Sequence, residues 1–102
     1  MTWNEYQTAA LRTATEKNDI VNCALGLAGE SGEVCDLVKK WQAQGHDLDL
    51  DSIAEEIGDL LWYVALAADR AGMALEDVAG RNMVKLSERY PNGFDPKRSV
   101  ER

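Results

Sequence analysis

Residues 26–41 read GLAGESGEVCDLVKKW and place Glu30 and Glu33 three positions apart in a stretch with helical periodicity. Because positions three and four apart share a helix face, the two carboxylates lie along one edge of an apolar stripe. The stripe consists of Leu27, Val34, Leu37, Val38 and Trp41. Like charges at this spacing cost about 0.2–0.5 kcal/mol even on an exposed helix. The stretch therefore predicts a helix with an acidic edge that needs a compensating charge.

A second acidic edge follows on the next predicted helix, where Glu56, Asp59 and Tyr63 flank another apolar stripe. The members of this stripe share helical spacing and are Ile53, Ile57, Leu60, Leu61, Val64 and Ala68. The connection over residues 46–51 is short. We therefore expect the two helices to be antiparallel neighbours with axes about 8–10 Å apart. Four carboxylates would then converge.

The donor chemistry of these carboxylates indicates what would bind between them. Oxygen ligands without histidine or cysteine favour a hard cation, with Mg²⁺ as the first candidate and Mn²⁺ as the second. Acidic pairs are also common on solvated helix faces, so a surface without a ligand stays open as the alternative. Glycines 26, 29, 32 and 58 surround the acidic positions, although glycine inside a helix costs about 1 kcal/mol relative to alanine. Close approach by a ligand or another backbone would explain them, as would tight helix packing alone.

Periodicity and capping signals predict a single all-α domain of four helices over residues 1–102. The predicted helices run over about residues 3–15, 20–43, 53–71 and 75–89. Capping-box spacing supports two of the starts, with Thr2 and Glu5 at one and Ser52 and Glu55 at the other. The tail over about residues 90–102 contains both prolines and an Asn-Gly pair, which predicts an irregular segment.

The composition argues against several classes of partner. Eighteen acidic and eleven basic residues give a formal net charge of −7, which repels phosphate backbones and anionic lipids. We therefore expect no DNA, RNA or membrane partner. The sequence contains neither a secretory segment nor an apolar run near the roughly 20 residues that cross a bilayer, so a cytoplasmic location is expected. A chain of 102 residues builds only a small core, so we also expect association with copies of itself.

Other side chains allow a functional and a structural interpretation. Asn82, Lys85 and Arg89 form a stripe that either donates hydrogen bonds to phosphate oxygens or is simply solvated. Tyr63 lies one turn from Asp59, where its ring either stacks on a base or packs in the core.

Four further side chains are expected to have structural roles. Cys23 and Cys35 lack the spacing of a metal site or disulfide framework, so both are expected to be buried thiols. His46 is expected to be exposed in a polar connection, and Trp62 to lie in a contact between subunits.

Two segments together resemble a known family. GLAGESGEV followed by EEIGDLLWY resembles the MazG-like, all-α nucleotide pyrophosphohydrolases, whose signature is ExxE, a spacer and ExxD. The signature residues here are Glu30, Glu33, Glu56 and Asp59. RNMVKLSERYPNGF is similar to the family's Asn-x-x-Lys segment with its following Arg-Tyr-Pro, and the whole similarity covers about residues 20–95. Some members have an additional acidic residue directly before the first motif glutamate, where this chain has Gly29.

The resemblance implies hydrolysis of a nucleoside triphosphate, often a deoxy or non-standard one, to the monophosphate and pyrophosphate with Mg²⁺ as cofactor. Such a reaction would control or cleanse the nucleotide pool. The implied metal ligands are Glu30, Glu33, Glu56 and Asp59. The implied substrate contacts are Lys40, Asn82 and Lys85 for phosphate and Tyr63 for the base. Relatives of this length form homodimers or homotetramers with sites near subunit boundaries.

The identity of the proton acceptor does not follow from the motif. We favour Glu33 because it adjoins Lys40 on the same helix. Two other functions remain as alternatives to the enzyme. One is a nucleotide or metal sensor that uses the same pocket without turnover, and the other is a structural helical partner protein whose carboxylates are solvated.

Overall fold

The computed structural model describes residues 1–101, which form five helices. They are α1 (Trp3–Leu11), α2 (Ile20–Gln44), α3 (Leu50–Arg70), α4 (Leu75–Arg89) and α5 (Pro96–Glu101). Within these residues the only extended pairing is an isolated bridge between Pro91 and Gly93. The prediction of an all-α chain is confirmed, and α4 has the predicted bounds.

Two predicted boundaries are wrong because local hydrogen bonds override the periodicity. The first helix was expected to reach Thr15 but ends at Leu11. The Thr13 hydroxyl donates to the Ala10 carbonyl at 2.8 Å, and the backbone N–H of Thr13 also bonds that carbonyl instead of continuing the helical pattern. The predicted Thr2 cap is confirmed, since its hydroxyl accepts from the Glu5 N–H at 3.0 Å.

The start of α3 lies one turn earlier than the capping-box pattern predicts. Asp49 is the N-cap, and its carboxylate accepts from both the backbone N–H and the hydroxyl of Ser52. These hydrogen bonds hold the pKa of the Asp49 carboxyl below its usual value. Asp49, which hydrogen-bonds Ser52, is thus the N-cap in place of Ser52, and the helix begins at Leu50.

The tail also differs from its prediction. Residues 96–101 form the short helix α5, which was expected to be irregular, while residue 102 lies outside the described residues. The Arg98 guanidinium donates to the carbonyls of Arg89 and Glu88, which are left free at the end of α4. This contact joins the tail to α4.

The buried core lies around the C-terminal half of α3. Its apolar members are Ala10, Cys23, Ala65, Leu66, Ala68 and Leu75. Ala65 and Leu66 were absent from the predicted stripe, because α3 packs against α2 on one side and against α1 and α4 on another. The apolar stripe predicted from the sequence corresponds only to the face of α3 that packs against α2.

A buried amide connects three helices at this core. The Gln7 side chain donates from Nε2 to the Ala65 and Met73 carbonyls and accepts from the Leu75 N–H through Oε1. Since unpaired buried polar groups are costly, this arrangement fixes α1 against α3 and the start of α4.

The burial of three of these four side chains follows from the structure. Cys23 is buried and His46 is exposed as predicted, but Cys35 is exposed and that expectation is wrong. The Trp62 indole donates to the Thr13 hydroxyl at 2.8 Å and packs against the core. Trp62 remains partly buried, and its role in a subunit contact stays a prediction.

Much apolar surface stays uncovered in this single chain. Residues 80–88 of α4 are exposed throughout, including Met83 at 61% and Val84 at 59%. The accessible surface is 7449 Å², against about 5,700 Å² expected for a folded monomer of this mass. The radius of gyration is 16.6 Å, against about 13 Å for a compact domain of this length. The single chain is therefore less compact than a typical domain of this length.

Candidate metal centre

Three of the four predicted carboxylates come together between α2 and α3. Glu30, Glu56 and Asp59 each present one oxygen, and these oxygens lie within 4.8 Å of one another. Glu30 and Glu56 are half-buried and Asp59 is exposed, so the cluster is open on one side. The predicted juxtaposition of the two acidic edges is present in the structure.

Close helix packing produces this juxtaposition. Tyr63 lies over Gly26, where an added Cβ would come within 2.2 Å of the tyrosine ring. Gly26 of α2 lies opposite Tyr63 of α3, and Glu30 of α2 lies near Asp59 of α3. The two helices are therefore antiparallel. Gly26 is therefore required for helix packing. A Cβ at Gly29, Gly32 or Gly58 would meet no atom within 4 Å, so packing within the chain does not explain these glycines.

Electrostatics at the cluster disfavour full ionisation. A hydrogen bond with Glu30 raises the pKa of Glu56, and partial burial and the negative charges of Glu30, Asp59 and Glu55 raise it further. A proton or a cation between the neighbouring carboxylate oxygens would relieve this repulsion. Because the site offers oxygen donors only, its chemistry fits a hard divalent cation.

Glu33 and Lys40 lie outside this cluster on the exposed side of α2. Glu33 follows Glu30 by one turn and is exposed. Lys40 Nζ lies 2.7 Å from Asp36 Oδ2, and this hydrogen bond, with smaller effects of the Asp36 and Glu33 charges, raises the pKa of Lys40. The sequence reasoning missed Asp36, although the spacing of an acid four residues before a lysine is a usual sign of a helical ion pair.

The predicted phosphate contacts on α4 are exposed. Asn82 and Lys85 both belong to the exposed part of the helix. Lys85 lines an open groove of about 420 Å³, and the other described residues of its lining are Glu88, Arg89, Arg98 and Glu101. Since this lining includes none of the four motif carboxylates, the single chain does not join the α4 cations to the acidic cluster through this groove.

Tyr63 lies in the helix interface instead of projecting freely. Its ring contacts Gly26 and makes an edge-to-face pair with Trp62 at a centroid distance of 4.9 Å. Its role as a base contact stays a prediction. Another tyrosine, Tyr6 on α1, lies close enough for the charge of Asp59 to affect it, since burial and then that charge raise the pKa of Tyr6. The sequence reasoning placed Tyr6 only in a helical pattern.

Comparison with known proteins agrees with this arrangement. The model of the MazG nucleotide pyrophosphohydrolase domain matches residues 20–94, which include α2, α3, α4 and all four motif carboxylates. The chain belongs to the MazG nucleotide pyrophosphohydrolase domain family. The resemblance drawn from the two acidic motifs is thereby confirmed.

A relative of this MazG domain is the Gene 37 protein of Mycobacterium phage L5. It is 36% identical over 73 residues, an alignment that covers 68% of this chain and 64% of the phage protein. Its name states no activity, so the reaction must be argued from the site. No solved structure matches the chain. None of the helices in residues 1–101 combines the length and apolar character needed to span a membrane.

Proposed function

We propose that this MazG-family chain hydrolyses a ribo- or deoxynucleoside triphosphate to the monophosphate and pyrophosphate. The reaction depends on Mg²⁺, with Mn²⁺ as a possible substitute, and controls or cleanses the nucleotide pool in the cytoplasm. The single observation that supports it most is the convergence of Glu30, Glu56 and Asp59 within the matched domain. Neither DNA nor RNA is proposed as a partner, because the chain has a formal net charge of −7.

Each acidic residue has a proposed role at this centre. Glu30, Glu56 and Asp59 hold the cation, and Glu33 completes the set after a side-chain rotation. When bound, the cation would neutralise triphosphate charge and lower the pKa of the attacking water. Glu33 is also the proposed proton acceptor, because it lies one turn from Glu30 and its carboxylate is exposed.

The reaction breaks one bond and forms one. The water oxygen bonds to the α-phosphorus while the bond from that phosphorus to the bridging α,β-oxygen breaks. The bonding electrons leave with pyrophosphate, and the water proton passes to the Glu33 carboxylate. Lys40 would exchange Asp36 for the pyrophosphate, since an exposed ion pair contributes little to stability. Asn82 and Lys85 are proposed as further phosphate contacts, and Tyr63 as a base contact.

We further propose a homodimer or homotetramer as the working form. The protomer exposes about 1,700 Å² more surface than a compact monomer of its mass, and a standard interface buries about 800 Å² per partner. The exposed apolar side chains of α4 are available for such a contact. Sedimentation equilibrium checks the assembly state, and a monomer at micromolar concentration would contradict this part of the proposal.

The test is incubation of the purified protein with each common ribo- and deoxynucleoside triphosphate, with Mg²⁺ or with chelator. Anion-exchange chromatography identifies the products. We expect monophosphate and pyrophosphate only with metal. Glu56→Gln and Asp59→Asn should lower the rate by more than about 100-fold, because even outer-shell changes at metal sites cost 10–100-fold. Glu55→Gln is the matched control, since Glu55 is adjacent but outside the cluster.

Other outcomes would contradict specific parts of the proposal. Diphosphate and phosphate as products would mean that a different bond is cleaved, and equal rates with chelator would exclude the metal requirement. Full activity in both cluster variants would exclude the site. Mg²⁺-dependent nucleotide binding without product would indicate a sensor. An unchanged thermal midpoint with Mg²⁺ and nucleotide would favour a structural partner protein, since a ligand of the folded state must stabilise it.

A further inference from the structure

The first turn of α4 has no side-chain cap of its own. Ala74 occupies the N-cap position, and its side chain accepts no hydrogen bond. The first N–H groups of a helix lack partners within the helix, so they need acceptors from elsewhere. Gln7 of α1 accepts from the Leu75 N–H through Oε1 at 2.9 Å. Asn4 of α1 accepts from the Glu76 N–H through Oδ1 at 3.0 Å. Helix α1 therefore caps α4 from a distant part of the chain.

The two capping side chains are themselves held in place. Asn4 and Gln7 share one face of α1 at positions i and i+3. The Asn4 amide also donates to the Glu76 carboxylate at 3.1 Å, so Asn4 makes two hydrogen bonds with one residue of α4. Gln7 is buried and donates to the Ala65 carbonyl of α3 at 3.1 Å. Hydrogen bonds to α1 thus help to set the direction in which α4 leaves the core.

The proposed phosphate contacts lie far from this anchorage. Asn82 and Lys85 belong to the stretch over residues 80–88, which is exposed throughout. Lys85 follows the first residue of α4, Leu75, by about 15 Å along the helix axis. A tilt of about 10° at the first turn would therefore move Lys85 by about 2.6 Å. Because a misplacement of about 1 Å can lower a rate about 100-fold, a small change at the caps has a large effect at these contacts.

We propose that Asn4 is a positioning residue for the hydrolysis: with Gln7, it sets the angle of α4 and thereby the place of Lys85 and Asn82. The inference rests on the proposed function, because it concerns the phosphate contacts of that reaction. Asn4 acts through α4 and does not touch the substrate. It is also the better probe of the two, since truncation of the buried Gln7 would leave three backbone groups without their partner.

The experiment measures ligand binding separately from turnover. The probes are α,β-methylene deoxynucleoside triphosphates, which cannot be cleaved at the proposed bond, titrated with Mg²⁺ by calorimetry. Asn4→Ala removes both hydrogen bonds to Glu76. Asn18→Ala is the matched control, because Asn18 is also half-buried, and its side chain also accepts from one backbone N–H and donates to one side chain, both outside α4. Thermal melts establish that each variant is folded.

We expect Asn4→Ala to weaken analogue binding about tenfold, roughly the effect of one lost hydrogen bond to a charged group. Asn18→Ala should bind like the wild type. In a Lys85→Ala background, Asn4→Ala should weaken binding by less than about threefold, because most of its effect passes through the lysine. The kcat/KM values for hydrolysis should follow the same pattern. A purely structural role would lower the thermal midpoint in both backgrounds and leave the affinities unchanged.

An exchange of the two polar partners tests the hydrogen bonds themselves. Asn4→Asp places a second carboxylate beside Glu76, so it should weaken binding at least as much as Asn4→Ala. When it is combined with Glu76→Gln, the new carboxylate can accept from both the backbone N–H and the new amide. Both hydrogen bonds then form again, and the double variant should bind within about twofold of the wild type.

Several results would overturn the proposal. Equal affinities of Asn4→Ala and the wild type would exclude the positioning role, and so would an equally large loss in Asn18→Ala. An undiminished loss in the Lys85→Ala background would mean that Asn4 does not act through the α4 contacts, and failure of the exchange would exclude the hydrogen bonds to Glu76. A wild type that binds the analogues but hydrolyses no triphosphate contradicts the proposed function alone, and the affinities still decide about Asn4. A wild type that binds no analogue contradicts both.

Discussion

The two halves of α3 lie in different environments. In the C-terminal half, Ala65 and Leu66 are fully buried and Ala68 is only 7% exposed. In the N-terminal half, Ile57 is 50% exposed, and Glu56 and Asp59 belong to the acidic cluster. One continuous helix thus connects a packed core with an open site.

The difference shows that two kinds of interaction hold the same helix. Apolar burial and the Gln7 hydrogen bonds stabilise the C-terminal half against α1 and α4. The N-terminal half places Glu56 and Asp59 beside Glu30 of α2, and like charges oppose that contact. We therefore expect the acidic half to have the lower local stability and to gain most from a bound cation.

The largest difference between the two halves should appear in a pair of leucine truncations. Leu66→Ala should lower the free energy of unfolding by about 2–5 kcal/mol, because it leaves a cavity in the core. Leu50→Ala should change it by less than about 0.5 kcal/mol, since Leu50 is 67% exposed at the start of the same helix. Urea unfolding followed by circular dichroism measures both. A larger effect at Leu50 would mean that a second chain covers the acidic half.

A pair of glycine substitutions on α2 distinguishes close packing from open surface. Gly26→Ala should destabilise by about 1–3 kcal/mol, because the added methyl displaces the Tyr63 ring. Gly29→Ala should stabilise by up to about 1 kcal/mol, since alanine favours the helix and the methyl meets no atom. Thermal unfolding of both variants is the measurement.

The same variants sharpen the interpretation of the open glycines. If Gly29→Ala is more stable yet loses hydrolysis, a ligand or a second copy approaches that backbone. Unchanged hydrolysis would leave no role for close approach at this position, and equal stability of the two variants would contradict the described packing of Tyr63 over Gly26.

The smallest effect concerns the charge of the cluster. The pKa of Glu56 is raised in the folded chain, so the folded state keeps that proton to higher pH than the unfolded state. Stability should therefore decline as pH rises from the ordinary glutamate pKa through the raised value. Glu56→Gln should remove this contribution and raise the thermal midpoint at pH 8 by a few degrees in the absence of metal.

Addition of Mg²⁺ completes this comparison. The cation should raise the thermal midpoint of the wild type at pH 8 more than at pH 4, where protons compete for the carboxylates. Glu56→Gln should lose most of that increase, whereas Glu55→Gln should keep it. An equal response of the wild type and both variants would place cation binding elsewhere in the molecule.

The sequence predicted the helices more accurately than their ends. Helical spacing predicted the extents of α2 and α4 closely, because apolar periodicity continues through both. The end of α1 and the start of α3 were wrong, because the Thr13 hydroxyl and the Asp49 carboxylate compete for backbone groups. Such local competition does not appear in a hydrophobic pattern.

The sequence alone determined the class of fold and the chemistry of the acidic cluster. Spacing within each helix fixes which side chains share a face, and that relation holds before any packing occurs. Glu30, Glu56 and Asp59 were therefore found from their positions. The predicted role of Glu33 as fourth ligand follows from the same spacing and remains to be tested.

Only the tertiary structure decided which second face of α3 is buried and that Gly26 accommodates Tyr63. These relations join residues far apart in the chain, and they depend on the angles and distances at which helices pack. Helical periodicity specifies a face but not the helix that covers it. For that reason the carboxylates were apparent in the sequence, whereas the packing of Tyr63 over Gly26 was not.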